Sequence, residues 1–108
     1  MTMAQGWIYL IVSGVIDVAW ALSMKKANGF ANPAWSVVSL FLLAAFVYLL
    51  TRALTVLPLG TAYAVWTGIG AAGTVIAGIL MFSEPATALR LFFIGVVVAG
   101  IIGLQLTA

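Results

Sequence analysis

Four apolar runs, each near the length of a bilayer crossing and parted only by short breaks, constrain this chain more than anything else in it. They are Trp7–Met24, Trp35–Thr51, Leu59–Phe82 and Ala88–Leu106. A helix needs about 20 apolar residues to cross the hydrocarbon core. With no water there to satisfy the backbone, a run of that length closes its hydrogen bonds within itself, as a helix. The runs fill most of the 108 residues, so 66% of the chain is hydrophobic and only 6% charged. A soluble domain carries about a quarter charged residues. The expectation is an all-α integral membrane protein, with residues 1–108 forming a single four-helix transmembrane domain and no room for a soluble one. The N-terminal stretch Met1–Gly6 lacks a basic segment, and no small-residue cleavage site follows a short apolar run, so the first run is expected to remain as a span.

The breaks carry helix punctuation. Lys25, Lys26, Asn28 and Gly29 give the first helix cations and a glycine stop at its C-terminal end. Asn32-Pro33 restarts the chain, Arg52 and Pro58 bracket the second break, and Ser83-Glu84-Pro85 makes the third, where Thr87 is placed to cap the fourth helix. Such short breaks make neighbouring helices antiparallel, with both termini and the second break at one end and the first and third breaks at the other. That second end holds Lys25, Lys26 and Arg90 against Arg52 alone at the first. The positive-inside rule counts lysine and arginine, and three against one favours termini outside while leaving insertion in both orientations open. Trp7, Tyr9 and Trp35 fall near helix ends, where aromatic rings anchor at the membrane interface.

The composition excludes several chemistries. Without cysteine there is no disulfide framework or thiolate site, and without histidine as well a zinc or haem centre has almost no ligands. No metal or cofactor is expected. A net charge of +2, scattered along the chain, does not make a nucleic-acid surface. No nucleophile–base pair or second acid within the spans supports an enzyme.

One charged residue escapes the helix ends. Asp17 sits in the middle of the first run. A carboxylate at that depth costs about 2.5–3.5 kcal/mol on insertion scales, and the default reading is a functional group facing a polar cavity. The other reading is a structural hydrogen-bonding group between helices, and no lysine or arginine at similar depth is there to neutralise it. On a helix Asp17 shares a face with Ser13, Gly14, Trp20 and Ala21. Ser13 is expected to donate to the carboxylate, Trp20 to wall the site or donate through its indole N–H, and Gly14 and Ala21 to leave space for a ligand or a second helix.

The third run aligns Tyr63, Trp66, Thr67 and Gly70 along one stripe, combining a phenol, an indole and a hydroxyl on a face suited to a wet or ligand-lined cavity. Ala64, Gly68 and Ala72 make a small-residue ridge for close helix contact, and Gly68 with Gly70 weakens the helix enough to bend it. In the fourth run Gly95, Ala99 and Gly103 repeat every four residues, a pattern that serves either association between subunits or packing within one. Four helices barely enclose a cavity, whereas a dimer supplies eight and brings two Asp17 side chains together. Two carboxylates in one cavity resist double ionisation and titrate as a pair.

These residues resemble the small multidrug resistance transporters over essentially the whole chain. The likeness is carried by Gly14–Ala21 around Asp17, by Lys25 and Asn28-Gly29-Phe30, most strongly by Leu57–Ala71, and then by Glu84-Pro85 and Gly100–Leu104. Trp20-Ala21 and Thr61–Ala71 are most similar to the guanidinium-exporter branch. The resemblance implies an antiparallel, dual-topology homodimer in the bacterial inner membrane that exchanges a small organic cation for protons at its paired acids. It implies that Trp66 hydrogen-bonds the acid, that Tyr63 gates the cavity between the two acids, that Trp20 lines the substrate path, and that Gly68 and Gly70 form the flexible part of the third helix. Three positions depart from the pattern. Asp17 replaces the usual Glu and draws the carboxylate back by about 1.5 Å, one carbon–carbon bond; Phe46 stands where the branch tends to have Ser; and Gln105 stands where it has Lys.

The mechanism expected is competition. A deprotonated Asp17 pair attracts a cation, protonation releases it, and each ligand weakens the other equally. A planar guanidinium suits a carboxylate through paired hydrogen bonds and the faces of Trp20, Trp66 and Tyr63 through cation–π contact, with Ser13, Gly14, Phe46 and Thr67 supporting the cavity. Export of quaternary ammonium compounds, and service as one subunit of a heteromeric transporter, are the alternatives.

Overall fold

A computed structural model describes residues 1–107, which form four helices: α1 (Met3–Ala27), α2 (Pro33–Ala53), α3 (Leu59–Phe82) and α4 (Ala88–Thr107). All four are long and apolar enough to cross a membrane. Local chemistry sets their ends. Gln5 N–H donates to Thr2 Oγ1 at 3.1 Å and Thr2 N–H donates to Gln5 Oε1 at 2.9 Å, a capping box that starts α1 four residues ahead of its apolar run. At the far end Asn28 and Gly29 take left-handed backbone, with φ of 51° and 66°. Phe30 does too, at φ 67°, a conformation that costs a bulky residue about 1–2 kcal/mol. The turn lets Asn32 N–H reach Ala27 O at 3.0 Å while Asn32 Oδ1 accepts from Trp35 N–H and Pro33 opens α2. Arg90 N–H donates to Thr87 Oγ1 at 3.2 Å, so Thr87 caps α4 as expected.

The helices lie side by side in the order α2, α1, α3, α4. Helix α1 packs on α2 and α3, and α4 packs on α3. The result is a slab of 40 × 35 × 16 Å, little thicker than one helix with its side chains. Its core is small: Leu10, Ala53, Leu57, Ala62 and Val65 meet near the second loop and the termini. Trp7 and Tyr9, expected as interfacial anchors, pack partly against this cluster.

Glycines set the spacing of the layer. A Cβ on Gly14 would strike Ile69, and one on Gly73 would strike Val18, so α1 and α3 touch at close range. Gly68 receives Ile101 and Val97 of α4, which gives the Ala64–Gly68–Ala72 ridge its partner. Helix α4 is different. None of its described residues is buried, and around Gly95 and Gly103 an added Cβ meets nothing within 4 Å. The Gly95–Ala99–Gly103 ridge therefore faces away from the other three helices.

At the end shared by the first and third loops, Glu84 gathers the cations. Lys25 Nζ lies 3.4 Å from Glu84 Oε2 and Arg90 Nη2 lies 3.8 Å from Oε1. Lys25 also sits over the Phe82 ring and Lys26 over Trp35, at 4.8 and 4.6 Å from the centroids.

Candidate functional site

Asp17 lies midway along α1, where the helix passes α3. The carboxylate occupies the place that a side chain at position 70 would fill: a Cβ on Gly70 would collide with Asp17 Oδ2. Glycine there is a requirement of close approach between an acid and a helix backbone. Among the described residues no salt bridge or side-chain hydrogen bond reaches Asp17, and Lys25 and Arg90 are engaged with Glu84 at the membrane end. The site therefore offers a half-buried carboxyl group with no counter-ion inside the subunit.

The carboxylate opens onto a shallow cavity of about 450 Å³ between α1 and α3. Asp17, Trp20 and Ala21 line it from α1; Tyr63, Trp66, Thr67 and Gly70 line it from α3. Periodicity explains the juxtaposition, since each set recurs at three- and four-residue steps along one helix face. The α3 face runs one turn beyond the Tyr63–Gly70 stripe: Ala71, Thr74 and Val75 also line the cavity. Thr74 was missed, although it stands four residues after Gly70 and seven after Thr67 and adds a second hydroxyl to the same side.

The wall is a continuous chain of rings. Trp20 and Phe46 meet edge to face with centroids 5.5 Å apart; Phe46 and Trp66 are also 5.5 Å apart; and Trp66 and Tyr63 follow at 5.8 Å. Such spacing suits aromatic pairs and leaves π-faces for a cation. Phe46 is 5% exposed and joins α2 to this wall from behind rather than lining the open cavity.

Four expectations change. Ser13 does not serve Asp17: its hydroxyl is fully buried and donates to the Phe46 carbonyl at 2.8 Å. A hydroxyl has one proton, and the carbonyl has it. Gly14 makes no cavity either, because Ile69 fills the space beside it. The Trp66 indole does not hydrogen-bond the acid; its Nε1 is buried without a partner. Helix α3 runs unbroken through Gly68 and Gly70, whose places are taken up by Ile101 and by Asp17. Among the described residues there is no cluster of three potential metal ligands.

Comparison with known proteins agrees with this architecture. The profile of the family described as Small Multidrug Resistance protein matches residues 5–97. A guanidinium exporter of Yersinia pseudotuberculosis is 47% identical over 104 residues, covering 96% of this chain and 100% of that protein. A guanidinium exporter of Salmonella typhimurium is 45% identical over 104 residues, 96% of this chain and 99% of its own. One from Klebsiella oxytoca is 45% identical over 103 residues, 95% and 98% of the two chains. These relatives are transporters rather than enzymes. The chain belongs to the small multidrug resistance family, as a multi-pass membrane transporter of four helices.

Proposed function

We propose that the chain exports small cations of the guanidinium type in exchange for protons. The observation that carries this reading is the carboxylate of Asp17, left without a counter-ion in an aromatic-walled cavity. A guanidinium supplies the missing charge, paired N–H donors for the two carboxylate oxygens and a planar face for the rings of Trp20, Tyr63 and Trp66. The names of the relatives support the same substrate class.

The working unit is a homodimer of two oppositely inserted copies in a bacterial inner membrane. Three features support it: a slab only 16 Å thick, whose site is open on one side; the bare ridge of α4; and the small difference in positive charge between the two ends. Inverted repeats are the usual frame for alternating access. In the dimer the two Asp17 groups share one cavity, with Tyr63 between them. A cation binding on the inner side displaces protons from the pair. Protons arriving from the outer side displace the cation, and the gradient drives export.

Proton release by the detergent-solubilised protein tests the reading. Guanidinium is expected to release protons, and Asp17→Asn is expected to release none. Proton-coupled uptake retained in Asp17→Asn overturns the assignment. The four-ring wall favours a second reading, export of bulky aromatic or quaternary ammonium cations, for which proton release on tetraalkylammonium but not on guanidinium is the signature.

A further inference from the structure

Three serines are buried within the spans, and they do not behave alike. Ser23 Oγ donates to Trp20 O and Ser39 Oγ donates to Ser36 O, each within its own helix three residues back. Ser13 Oγ crosses from α1 to α2, to the carbonyl of Phe46. Among the described residues this is the one side-chain hydrogen bond that links two helices away from the membrane ends. The rest of that seam is small or apolar: α2 buries only Ser39, Phe46 and Ala53, seven residues apart. Apolar contact has no direction and leaves a helix free to slide by a fraction of a turn. A buried hydrogen bond is directional and fixes the height of Phe46 on α1.

The height of Phe46 matters because its ring is the hinge of the aromatic wall. It touches Trp20 on one side and Trp66 on the other, and so joins α2 to α3 behind the Asp17 cavity. It also backs Trp20 and Trp66 with hydrocarbon, so the wall they present to the cavity is ring surface. A guanidinium carries N–H donors around its whole edge; the hydroxyls of Thr67 and Thr74 can accept from those on the α3 side, but those turned toward the faces of Trp20 and Trp66 find no acceptor. A site that leaves donors unpaired discriminates against the ligand that carries them. A ligand with an apolar group on that edge gains ring contact instead.

We propose that Ser13 is a positioning residue for the cation site, which sets Phe46 between Trp20 and Trp66 through the Phe46 carbonyl, and that the wall so placed selects guanidinium compounds bearing an apolar substituent over guanidinium itself. The inference rests on the guanidinium reading above. It assigns Ser13 a role in selectivity although Ser13 touches neither the carboxylate nor the cavity.

The test is transport in proteoliposomes of the full chain, with guanidinium and phenylguanidinium as probes and the ratio of kcat/KM as readout. The wild type is expected to prefer phenylguanidinium, with the difference in KM. Phe46→Leu, which keeps an apolar side chain but removes the ring, is expected to cut the ratio about tenfold. Ser13→Ala is expected to cut it about threefold, the size of one hydrogen bond between spans, and to add nothing in the Phe46→Leu background, because it acts through that ring. Ser13→Cys keeps the volume with a weak donor and is expected to behave as Ser13→Ala. A general packing role would instead lower transport of both compounds together and add to Phe46→Leu. That outcome, a wild-type preference for guanidinium, or a wild-type ratio in Phe46→Leu or Ser13→Cys, overturns the proposal while guanidinium export stands. Transport of neither compound by the wild type overturns the guanidinium reading and this inference with it.

Discussion

The chain has two carboxylates, and both rest against a glycine of α3. Asp17 lies over Gly70 and Glu84 over Gly78. Their surroundings differ in one respect. Glu84 sits at the membrane end with Lys25 on one oxygen and Arg90 on the other, so its charge is neutralised by the fold. Asp17 sits in mid-span with no cation, and the rings around it offer only their faces. The same seat on α3 thus serves two ends. A carboxylate satisfied within the subunit joins helices, and a carboxylate left unsatisfied is available to a ligand. A charge within the bilayer is costly to keep without use, and this difference in partners is what makes Asp17 rather than Glu84 the carboxylate of the proposed function.

The comparison breaks most sharply at Asp17 itself. Asp17→Asn preserves the shape and removes the charge. Cation binding and proton release are both expected to fall by at least about a hundredfold, since a buried ion pair loses one member. Isothermal titration with guanidinium, beside proton release in weakly buffered detergent, reads both. Retained binding would mean that the rings hold the cation unaided and that the two carboxylates do not differ as argued.

Gly70→Ala attacks the seat rather than the charge. The new Cβ has to occupy the place of Asp17 Oδ2, so the carboxylate is pushed off α3. Alanine is the better helix former by about 1 kcal/mol, and α3 itself is expected to hold or gain helicity by circular dichroism. Transport is expected to drop about tenfold or more from misplacement of the reacting group. Gly60→Ala is the matched control, because a Cβ there meets nothing within 4 Å and its transport is expected to match the wild type. Full activity in Gly70→Ala would show that the seat is not needed.

How much of this was legible in the sequence follows from what a helical pattern encodes. The four spans, their loops, the Thr87 cap and the placement of Asp17, Trp20, Tyr63, Trp66 and Thr67 on the cavity-lining faces come from length and periodicity, which belong to single helices. What the pattern does not encode is the neighbour. Ser13 shares a face with Asp17, yet its proton goes to α2, because the partner of a hydroxyl depends on which helix lies across from it. Gly14 and Gly70 read as space and as a weak point; each is the receptacle for one side chain of the opposing helix. Ile69 into Gly14 and Asp17 onto Gly70 form one interlocked seam that becomes visible only when both helices are in hand. Thr74 is legible in the sequence, since it continues the stripe from Thr67 and Gly70 by one more turn.

A second contrast sets closed glycines against open ones. Gly68 is filled by α4, whereas Gly95 and Gly103 face outward with nothing beside them. If a second copy packs on that ridge, Gly95→Leu with Gly103→Leu keeps the subunit folded and separates the dimer. Cross-linking in native membranes is expected to lose the dimer band, with transport falling severalfold, while the melting temperature of the detergent-solubilised monomer changes little. An undiminished dimer would place the interface on another face.

The smallest effect belongs to Glu84, and it completes the comparison from its other side. The side chains of Lys25 and Glu84 are 58% and 34% exposed, and ion pairs this open to solvent contribute about 1 kcal/mol or less each. Glu84→Gln keeps the shape over Gly78 and removes both pairs, so a fall of a few degrees in melting temperature is expected at low salt. Salt screens exposed pairs, and the gap between variant and wild type should therefore narrow as salt rises to 1 M, where the Debye length is about 3 Å. Proton release on guanidinium should be unchanged, because Asp17 carries it. A Glu84→Gln protein that melts as the wild type but releases no protons would reverse the division: the clasp at the membrane end would then be part of the transport cycle, and being neutralised within the subunit would no longer mark a carboxylate as structural.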